Sequence, residues 1–213
     1  MHLELARRCR RARMARFREF CVPIPRPFSL LDVGGTVGFW QAEPPPELCH
    51  LTIINTFAQE PVGQETVLIG DGCRLPFGDK SFDLVFSNSA IAFVGGWLRQ
   101  RLFASEISRV GKAYFVQTPN FWYPIDWRTL VPFFHWLPDT LQARIHTLVR
   151  VGRYRRIPEL IDAYFLATRV NDLTREQFAA CFPDATLESE RTLGLAKSFI
   201  AHHRDEVLSV SNP

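Results

Sequence analysis

Five short apolar runs, separated by turns and helical stretches, constrain the fold of this chain most strongly. The runs are Phe28–Val33, His50–Asn55, Thr66–Ile69, Phe82–Ser87 and Lys112–Gln117. Buried strands that alternate with helical crossovers are typical of a parallel sheet, and such crossovers are right-handed. The sequence therefore predicts an α/β fold with a mostly parallel sheet in the strand order 3-2-1-4-5.

The rest of the chain predicts additions to this sheet. Two adjacent runs, Thr186–Arg191 and Ala196–His202, predict a closing antiparallel pair, and Thr174–Cys181 predicts a short helix that a capping box begins. The block 120–170 holds many aromatic residues, prolines and arginines and is too long for an ordinary loop, so it predicts a helical, aromatic cap insertion.

Length and composition favour one domain. With 213 residues, of which 46% are apolar, the chain can build one sizeable core and is too short for two ordinary domains. We expect a single domain over 1–213. Its predicted parts are a basic helix at 1–20, a core at 28–118, the cap at 120–170, and a helix with the strand pair at 174–203.

The distribution of charges and cysteines limits which partners, metal sites and cellular compartments we expect for this protein. Seven arginines crowd the first twenty residues, although the formal charge of the chain is only +3. Such a cluster either contacts RNA, acidic lipid or an acidic partner, or forms the solvated face of an amphipathic helix. The five scattered cysteines show neither a CxxC pair nor metal-ligand spacing, which favours a reduced, cytoplasmic protein without a metal site. No apolar run reaches the roughly eighteen residues that a membrane span needs.

A glycine-rich turn follows the first predicted strand. Leu30–Gly38 reads as a buried strand that ends at Asp32 and runs into Gly34, Gly35 and Gly38. Glycines let the backbone approach a ligand closely, and open α/β sheets bind ligands at the carboxyl ends of their strands. Asn55 ends the second strand and Asp71-Gly72-Cys73 follows the third, at the same predicted edge of the sheet.

The order of these motifs along the chain resembles that of class I SAM-dependent methyltransferases. The motifs are the glycine turn, then Asp71-Gly72, then Leu75-Pro76-Phe77 leading into Phe82–Val85. The resemblance covers about residues 28–120 and is strongest to the small-molecule type related to ubiquinone and menaquinone enzymes. It implies a Rossmann-like sheet, S-adenosyl-L-methionine (SAM) as the cofactor and S-adenosyl-L-homocysteine as its product. The positions that it implies for cofactor binding are Asp32, Gly34, Gly35, Thr36, Gly38, Asn55, Asp71, Gly72, Cys73, Ser87 and Asn88.

The chain also departs from the family pattern. Thr36 stands where a glycine is usual, and Asn55 replaces the carboxylate that binds the ribose. Ala92 and Phe93 stand where relatives often carry Glu and His. Only about ten residues link Asn55 to the third strand, so the second crossover helix is predicted to be nearly absent. These departures keep open a degenerate fold that serves as a non-catalytic binding protein.

The cap is the predicted acceptor pocket. Its aromatic residues could stack on a flat or apolar acceptor or could pack as a structural cover; they are Trp122, Tyr123, Trp127, His135 and Trp136. His135 is the first candidate for a general base, because an imidazole titrates near neutral pH, and Asp126 and Tyr123 are weaker candidates.

The sequence favours a small-molecule acceptor. Enzymes that methylate amino groups of bases share an Asn/Asp-Pro-Pro-Tyr/Phe motif after the fourth strand, and here that position reads Ser87-Asn88-Ser89-Ala90. Enzymes that methylate cytosine C5 carry a cysteine after a proline, and Thr118-Pro119-Asn120 has none. These absences disfavour a nucleic-acid acceptor, whereas the basic N-terminus keeps an RNA or protein acceptor as the second hypothesis. The oligomeric state is left open.

Overall fold

The computed structural model describes residues 2–126 and 128–205, with the side chains of residues 2–6 excepted. Its sheet has seven strands in the order β3-β2-β1-β4-β5-β7-β6. The strands are β1 (Phe28–Val33), β2 (Cys49–Asn55), β3 (Thr66–Ile69), β4 (Phe82–Asn88), β5 (Gly111–Pro119), β6 (Thr186–Thr192) and β7 (Leu195–Arg204). The first five pair in parallel, and β7 pairs antiparallel with both β5 and β6. The predicted α/β, Rossmann-like sheet and its strand order are confirmed.

Six α-helices flank the strands in the described part of the chain. They are α1 (His2–Cys21), α2 (Val37–Ala42), α3 (Trp97–Val110), α4 (Asp139–Leu148), α5 (Leu160–Thr168) and α6 (Arg175–Cys181). Short 3-10 helices cover Ala90–Phe93 and Phe134–Trp136. The link between β2 and β3 contains no helix, as the sequence predicts, and α6 begins at the predicted capping box of Thr174 and Gln177. None of the helices of the described residues is both long and apolar enough to cross a membrane.

Alternate residues of the central strands supply two separate cores. In β1, Leu30 packs on the face that α1 covers, while Leu31 packs on the opposite face with α3 and α6. This alternation follows from the two-residue period of a strand, and both faces are apolar because helices cover both. The sheet edge where the parallel strands end is thereby left to form the site.

Helix α1 covers one face of the sheet with its apolar stripe. Met14, Phe17 and Cys21 are fully buried, and the Phe17 ring lies 4.5 Å from the ring of Phe86 in β4. Six of the seven arginines that cluster near the N-terminus are exposed, as expected for a solvated helix face; they are Arg7, Arg8, Arg10, Arg11, Arg16 and Arg18.

Arg13 is the exception, because its side chain is buried between two strands. Its Nε and Nη2 atoms donate to the Glu190 carboxylate in β6 at 3.0 and 2.6 Å, and Nη1 donates to Oδ1 of Asn88 at 2.5 Å. Burial alone would raise the pKa of Glu190, but the Arg13 charge and hydrogen bonds hold that pKa below its usual value. Arg13 therefore ties the N-terminal helix to the carboxyl end of β4.

Asp32 is buried at the end of β1. Its Oδ2 accepts a 2.7 Å hydrogen bond from the indole Nε1 of Trp40 in α2, and Oδ1 has no hydrogen-bond partner within residues 2–126 and 128–205. Burial raises the pKa of this carboxyl from 3.8 to about 7, and the Trp40 bond only partly opposes the rise. The folded protein therefore holds a proton on Asp32 that the unfolded chain releases near pH 4.

We predict that Arg13→Ala lowers the free energy of unfolding by about 3–5 kcal/mol, because it leaves the Glu190 carboxylate buried without its cation. The control is Arg16→Ala, which breaks an α1–β6 pair with Glu188 and should cost less than about 1 kcal/mol. The side chains of the first pair are 10% and 11% exposed, against 46% and 45% for the second. Urea denaturation measures both values, and equal losses would contradict the role of Arg13.

We predict that the free energy of unfolding of the wild type falls, relative to that of Asp32→Asn, as pH rises from about 4 to 7. Between the unfolded and folded pKa values the native state binds the extra proton, so each pH unit costs up to about 1.4 kcal/mol. Asparagine keeps an acceptor for Trp40 and does not titrate. Urea denaturation at pH 5, 6, 7 and 8 measures the difference. The exposed Asp162→Asn serves as control, and parallel profiles for wild type and Asp32→Asn would refute the prediction.

Candidate functional site

A cleft of about 390 Å³ lies at the carboxyl ends of the central strands. Val33 ends β1 there, Asn55 ends β2 and Asn88 ends β4. Six of the eleven positions that the resemblance implies for the cofactor line this cleft: Gly34, Thr36, Asn55, Asp71, Gly72 and Asn88. The other five do not line it: Asp32, Gly35, Gly38, Cys73 and Ser87.

The glycine turn forms one wall of the cleft. Gly34 has φ +83°, and a Cβ atom on it would lie 2.3 Å from the Cβ of Ala90. A Cβ on Gly35 would lie 1.7 Å from Oδ2 of Asp32. Both glycines are thus required by contacts within the protein. A Gly34→Val side chain would clash with Ala90 whether or not a ligand is bound, so loss of SAM binding in that variant would not locate the ligand.

Two amide side chains hold the turn from the β2 side. Nδ2 of Asn55 donates to the carbonyl oxygen of Gly35 at 2.7 Å, and Nε2 of Gln59 donates to the same oxygen at 3.2 Å. Oε1 of Gln59 accepts from the backbone N–H of Val37 at 3.0 Å. Asn55 therefore supports the turn through a donor that a carboxylate lacks. The sequence showed no sign of the contribution of Gln59, because it lies in a loop without a motif.

Asp71 lies at the opposite wall of the cleft. Its Oδ2 accepts from the Arg99 guanidinium at 2.7 Å, and its Oδ1 accepts from the backbone N–H of Cys73 at 2.9 Å. The hydrogen bond from Arg99 and that from Cys73 lower the pKa of Asp71, so the carboxylate is ionised and fixed. The thiol of Cys73 donates to the Arg99 carbonyl, and Ser87 donates to the Val33 carbonyl, so these two support the walls.

A second cavity of about 350 Å³ adjoins the cleft. The two share Asn88, Ser89 and Phe93 at the end of β4 and in the 3-10 helix that follows. All three candidate catalytic residues, His135, Asp126 and Tyr123, line this second cavity, and α1 contributes Cys9, Arg10 and Arg13 to its wall. The structure therefore brings the candidate cofactor and acceptor residues to adjoining spaces.

One ring nitrogen of His135 forms a hydrogen bond, and the other has no hydrogen-bond partner among the described residues. Its Nε2 lies 3.0 Å from the carbonyl oxygen of Phe121, and because a carbonyl only accepts, Nε2 carries the proton. Nδ1 therefore bears a lone pair, and it has no hydrogen-bond partner in the described part of the chain. This arrangement can accept a proton, as a general base must.

The other two candidates are less suited to removing a proton. Oδ1 of Asp126 accepts from the backbone N–H and from Nε of Arg128, at 2.9 and 2.7 Å, so two donors already occupy this oxygen. Burial raises the pKa of Tyr123 above its usual value, with a smaller contribution from Cys9, so its hydroxyl stays protonated and can donate.

Two of the remaining predicted cap residues, Trp122 and Trp136, do not line the second cavity. Trp122 and Trp136 are 60% and 38% exposed and contact each other at the surface with ring centroids 5.9 Å apart. Trp127 lies outside the described residues. Among the described residues, no group of three or more His, Cys, Asp or Glu side chains could hold a metal ion.

The cleft fits SAM by its shape and donor set. One wall is the glycine turn, in which Gly34 and Gly35 have no room for a Cβ, and the lining also presents a fixed carboxylate at Asp71 and an amide at Asn55. A carboxylate oxygen accepts more than one hydrogen bond, so Asp71 retains capacity for an adenine amino group. The volume lies within the range of small-molecule sites.

Comparison with known proteins agrees with this geometry. Residues 32–114, from the end of β1 into β5, match a family model described as "Methyltransferase domain". No curated protein matches the chain.

Three solved structures illustrate the likeness of fold. A SAM-dependent methyltransferase from Methanosarcina mazei has a TM-score of 0.53 and 14% identity, over 85% of this chain and 95% of that one. A chain from the complex between the Haloferax volcanii Trm112 methyltransferase activator and a putative methyltransferase has a TM-score of 0.52 and 11% identity, over 89% of this chain and 88% of that one. A putative zinc-dependent alcohol dehydrogenase from Rhodobacter sphaeroides has a TM-score of 0.55 and 15% identity, over 86% of this chain and 85% of that one.

At these identities the structural likeness shows the fold alone, and the domain match adds the chemistry. The match spans the glycine turn, Asn55, Asp71 and Asn88, which are the residues that meet in the cleft. The domain match over residues 32–114 and the shared fold therefore liken this chain to SAM-dependent methyltransferases.

Proposed function

We propose that the protein transfers a methyl group from SAM to a small-molecule acceptor by in-line displacement. The observation that carries the proposal is the junction of the two cavities. The cleft opens into the second cavity at Asn88, Ser89 and Phe93, so a cofactor in the first space and an acceptor in the second would meet there. Positioning of this kind can supply roughly 7–11 kcal/mol of the barrier.

On the cofactor side, the methionine part of SAM lies along Gly34–Gly38, the ribose near Asn55 and the adenine near Asp71. SAM supplies an already activated methyl group, so the protein has to hold and align it. The bond from Asn55 to the Gly35 carbonyl and the bond from Arg99 to Asp71 preorganise the two ends of the site. The closer relation to ubiquinone and menaquinone enzymes stays a prediction.

On the acceptor side, the second cavity orients the acceptor and excludes water. His135 takes the proton that the acceptor releases, through the lone pair on Nδ1. Tyr123 donates a hydrogen bond to the acceptor, and the carboxylate of Asp126 contributes to the electrostatic potential around the acceptor. The side chain of Asn88 faces both partners, and the Arg13 guanidinium fixes its Oδ1.

An RNA or protein acceptor is the second candidate. The exposed arginine face of α1 favours it, since clustered guanidinium groups attract phosphate or acidic side chains. A mobility shift with bulk RNA separates the two hypotheses. For localisation, all five cysteines are free thiols, which supports the prediction of a cytoplasmic protein.

The direct test of the proposal is calorimetric titration with SAM, followed by a search for acceptors with methyl-labelled SAM. Saturable binding of one SAM per chain and label transfer to a small molecule would support it. If SAM does not bind, the protein is a non-catalytic member of this fold, and the proposal fails.

We predict that Asn55→Asp weakens SAM binding by about tenfold, although it restores the acidic residue that is usual at this position. An aspartate cannot donate to the Gly35 carbonyl, and losing one hydrogen bond to a partly buried group costs about 1–3 kcal/mol. Calorimetry measures the change. Gln64→Glu makes the same amide-to-carboxylate exchange at an exposed site and should bind SAM normally. Tighter binding by Asn55→Asp would show instead that the ribose contact dominates.

We predict that His135→Ala lowers kcat by about a hundredfold or more while the SAM dissociation constant stays the same. Removing a general base costs typically 10²–10⁴ in rate, and His135 is absent from the cofactor cleft. The exposed His50→Ala is the control. The measurement is steady-state turnover with an acceptor from the labelling search, and an unchanged kcat would remove His135 from the mechanism.

A further inference from the structure

A third cavity, of about 480 Å³, lies beneath the cap. Its wall is built by the loop after β5, by α4 and by the segment around Asp172 that precedes α6. It shares Phe93, Asp126, His135 and Asp172 with the second cavity and is therefore continuous with the space next to the cofactor cleft. It is as large as a typical small-molecule site.

Two buried carboxylates and one guanidinium set the charge of this cavity. Nε of Arg128 donates to Asp126 at 2.7 Å, and Nη2 donates to Oδ2 of Asp172 at 3.1 Å. The side chains of Asp126, Asp172 and Arg128 are only 4%, 8% and 12% exposed. One guanidinium balances one carboxylate, so the cluster carries an excess negative charge when both aspartates are ionised. At the exposed rim, Asp139 and Arg169 offset each other.

The same cavity wall contains buried polar atoms that have no hydrogen-bond partner among the described residues, and two of them are acceptors: Oδ1 of an ionised Asp172 and Nδ1 of His135. Oδ1 of Asp172, Nδ1 of His135 and Nδ1 of His146 are buried and have no hydrogen-bond partner among residues 2–126 and 128–205. Burial raises the pKa of Asp172 and lowers the pKa of His146, so an ionised Asp172 lacks solvation and His146 is neutral. Buried polar groups without partners are costly, and a ligand that brings donors relieves that cost.

The segment that presents Asp172 is held rigidly. The Asn171 carbonyl accepts from Nε2 of Gln100 at 2.7 Å, and the backbone N–H of Asn171 donates to the Ala92 carbonyl at 2.8 Å. On the other side, the Leu173 carbonyl accepts from the backbone N–H of Phe121 at 3.1 Å. A carboxylate fixed in this way loses little conformational entropy when a ligand binds.

We propose that the cavity beneath the cap binds a cationic amino group, held by Asp172 and surrounded by aromatic rings. An ammonium group offers three N–H donors and no acceptor, which matches a wall that has acceptors to spare. Phe93, Phe121, Phe134 and Tyr154 line the cavity, and aromatic faces attract cations. An anion would meet the excess negative charge, and an apolar group would leave the acceptors without donors.

The ligand is then the methyl acceptor itself, a step that rests on the proposed function. A protonated amine has no lone pair, so it cannot take the methyl group while Asp172 holds it. The amine is therefore the anchoring group of the acceptor. The methyl-accepting atom belongs to another part of the same molecule, which extends through the second cavity toward Asn88 and Ser89.

Three probes of nearly equal shape test the proposal on the full chain without SAM: benzylamine, benzyl alcohol and benzoate. The readout is the indole N–H signal of Trp97, which lines the cavity, in an NMR titration. We expect benzylamine to shift this signal with an affinity about tenfold above that of benzyl alcohol, and benzoate to have no effect. Equal affinities for the amine and the alcohol, or a preference for benzoate, would overturn the proposal.

Variants locate the binding group. Asp172→Asn should abolish the preference for benzylamine over benzyl alcohol, whereas the exposed Asp162→Asn should keep it. A preference that survives in a folded Asp172→Asn protein would overturn the assignment, and the wild-type probe series decides alone if this variant does not fold.

SAM titration of the same samples separates the two proposals. A wild-type protein that does not bind SAM would contradict the methyltransferase proposal, and a wild-type protein without amine selectivity would contradict this one.

Discussion

The parallel pairing of β1 with β2 and β4 is the constraint on which the rest of the site depends. Val33 pairs with Ile54, and Asp32 pairs with Phe86, so the three strands end at one edge. Parallel strands all direct their carboxyl ends to the same side, which is why the loops after them share a crevice. The glycine turn, Asn55 and Asn88 therefore meet in space although they are far apart along the chain. The hydrogen bonds to the Gly35 carbonyl then lock the turn against the end of β2.

A second group of polar contacts organises the acceptor side, and it is built outside the parallel strands. Arg128 joins the loop after β5 to the segment before α6 by bonding Asp126 and Asp172 together. Arg13 joins α1 to β4 and β6 in the same manner. Both guanidiniums are mostly buried and each binds at least one acceptor distant in sequence, so each of them joins separate elements of the fold. The cofactor cleft thus rests on backbone geometry, whereas the acceptor cavities rest on buried ion pairs.

The sequence predicted the sheet well because the signals were local. Each strand is a short apolar run, and the capping box at Thr174 is a pattern of four residues. For the site, it predicted where the cofactor residues lie along the chain but could not separate those that face the cleft from those behind it. Asp32 belongs to the second group because Trp40, eight residues later, turns back and bonds its carboxyl. Gln59, Arg99 and Asp172 were missed because each acts through contacts with residues distant in sequence and has no motif of its own.

By itself, then, the sequence determined the strand order, the glycine turn and the likeness to methyltransferases, because hydrophobic period and turn chemistry are properties of neighbouring residues. Only the tertiary structure decided which polar atoms are buried and which of them have partners. The Arg13 side chain is buried while the other arginines of α1 are exposed, and among the described residues no donor reaches Oδ1 of Asp172. Burial and hydrogen bonding depend on residues that folding brings together from distant parts of the chain. The same physical reason explains why the cavity beneath the cap, with its excess of acceptors, exists only in the folded protein and has no counterpart in a sequence motif.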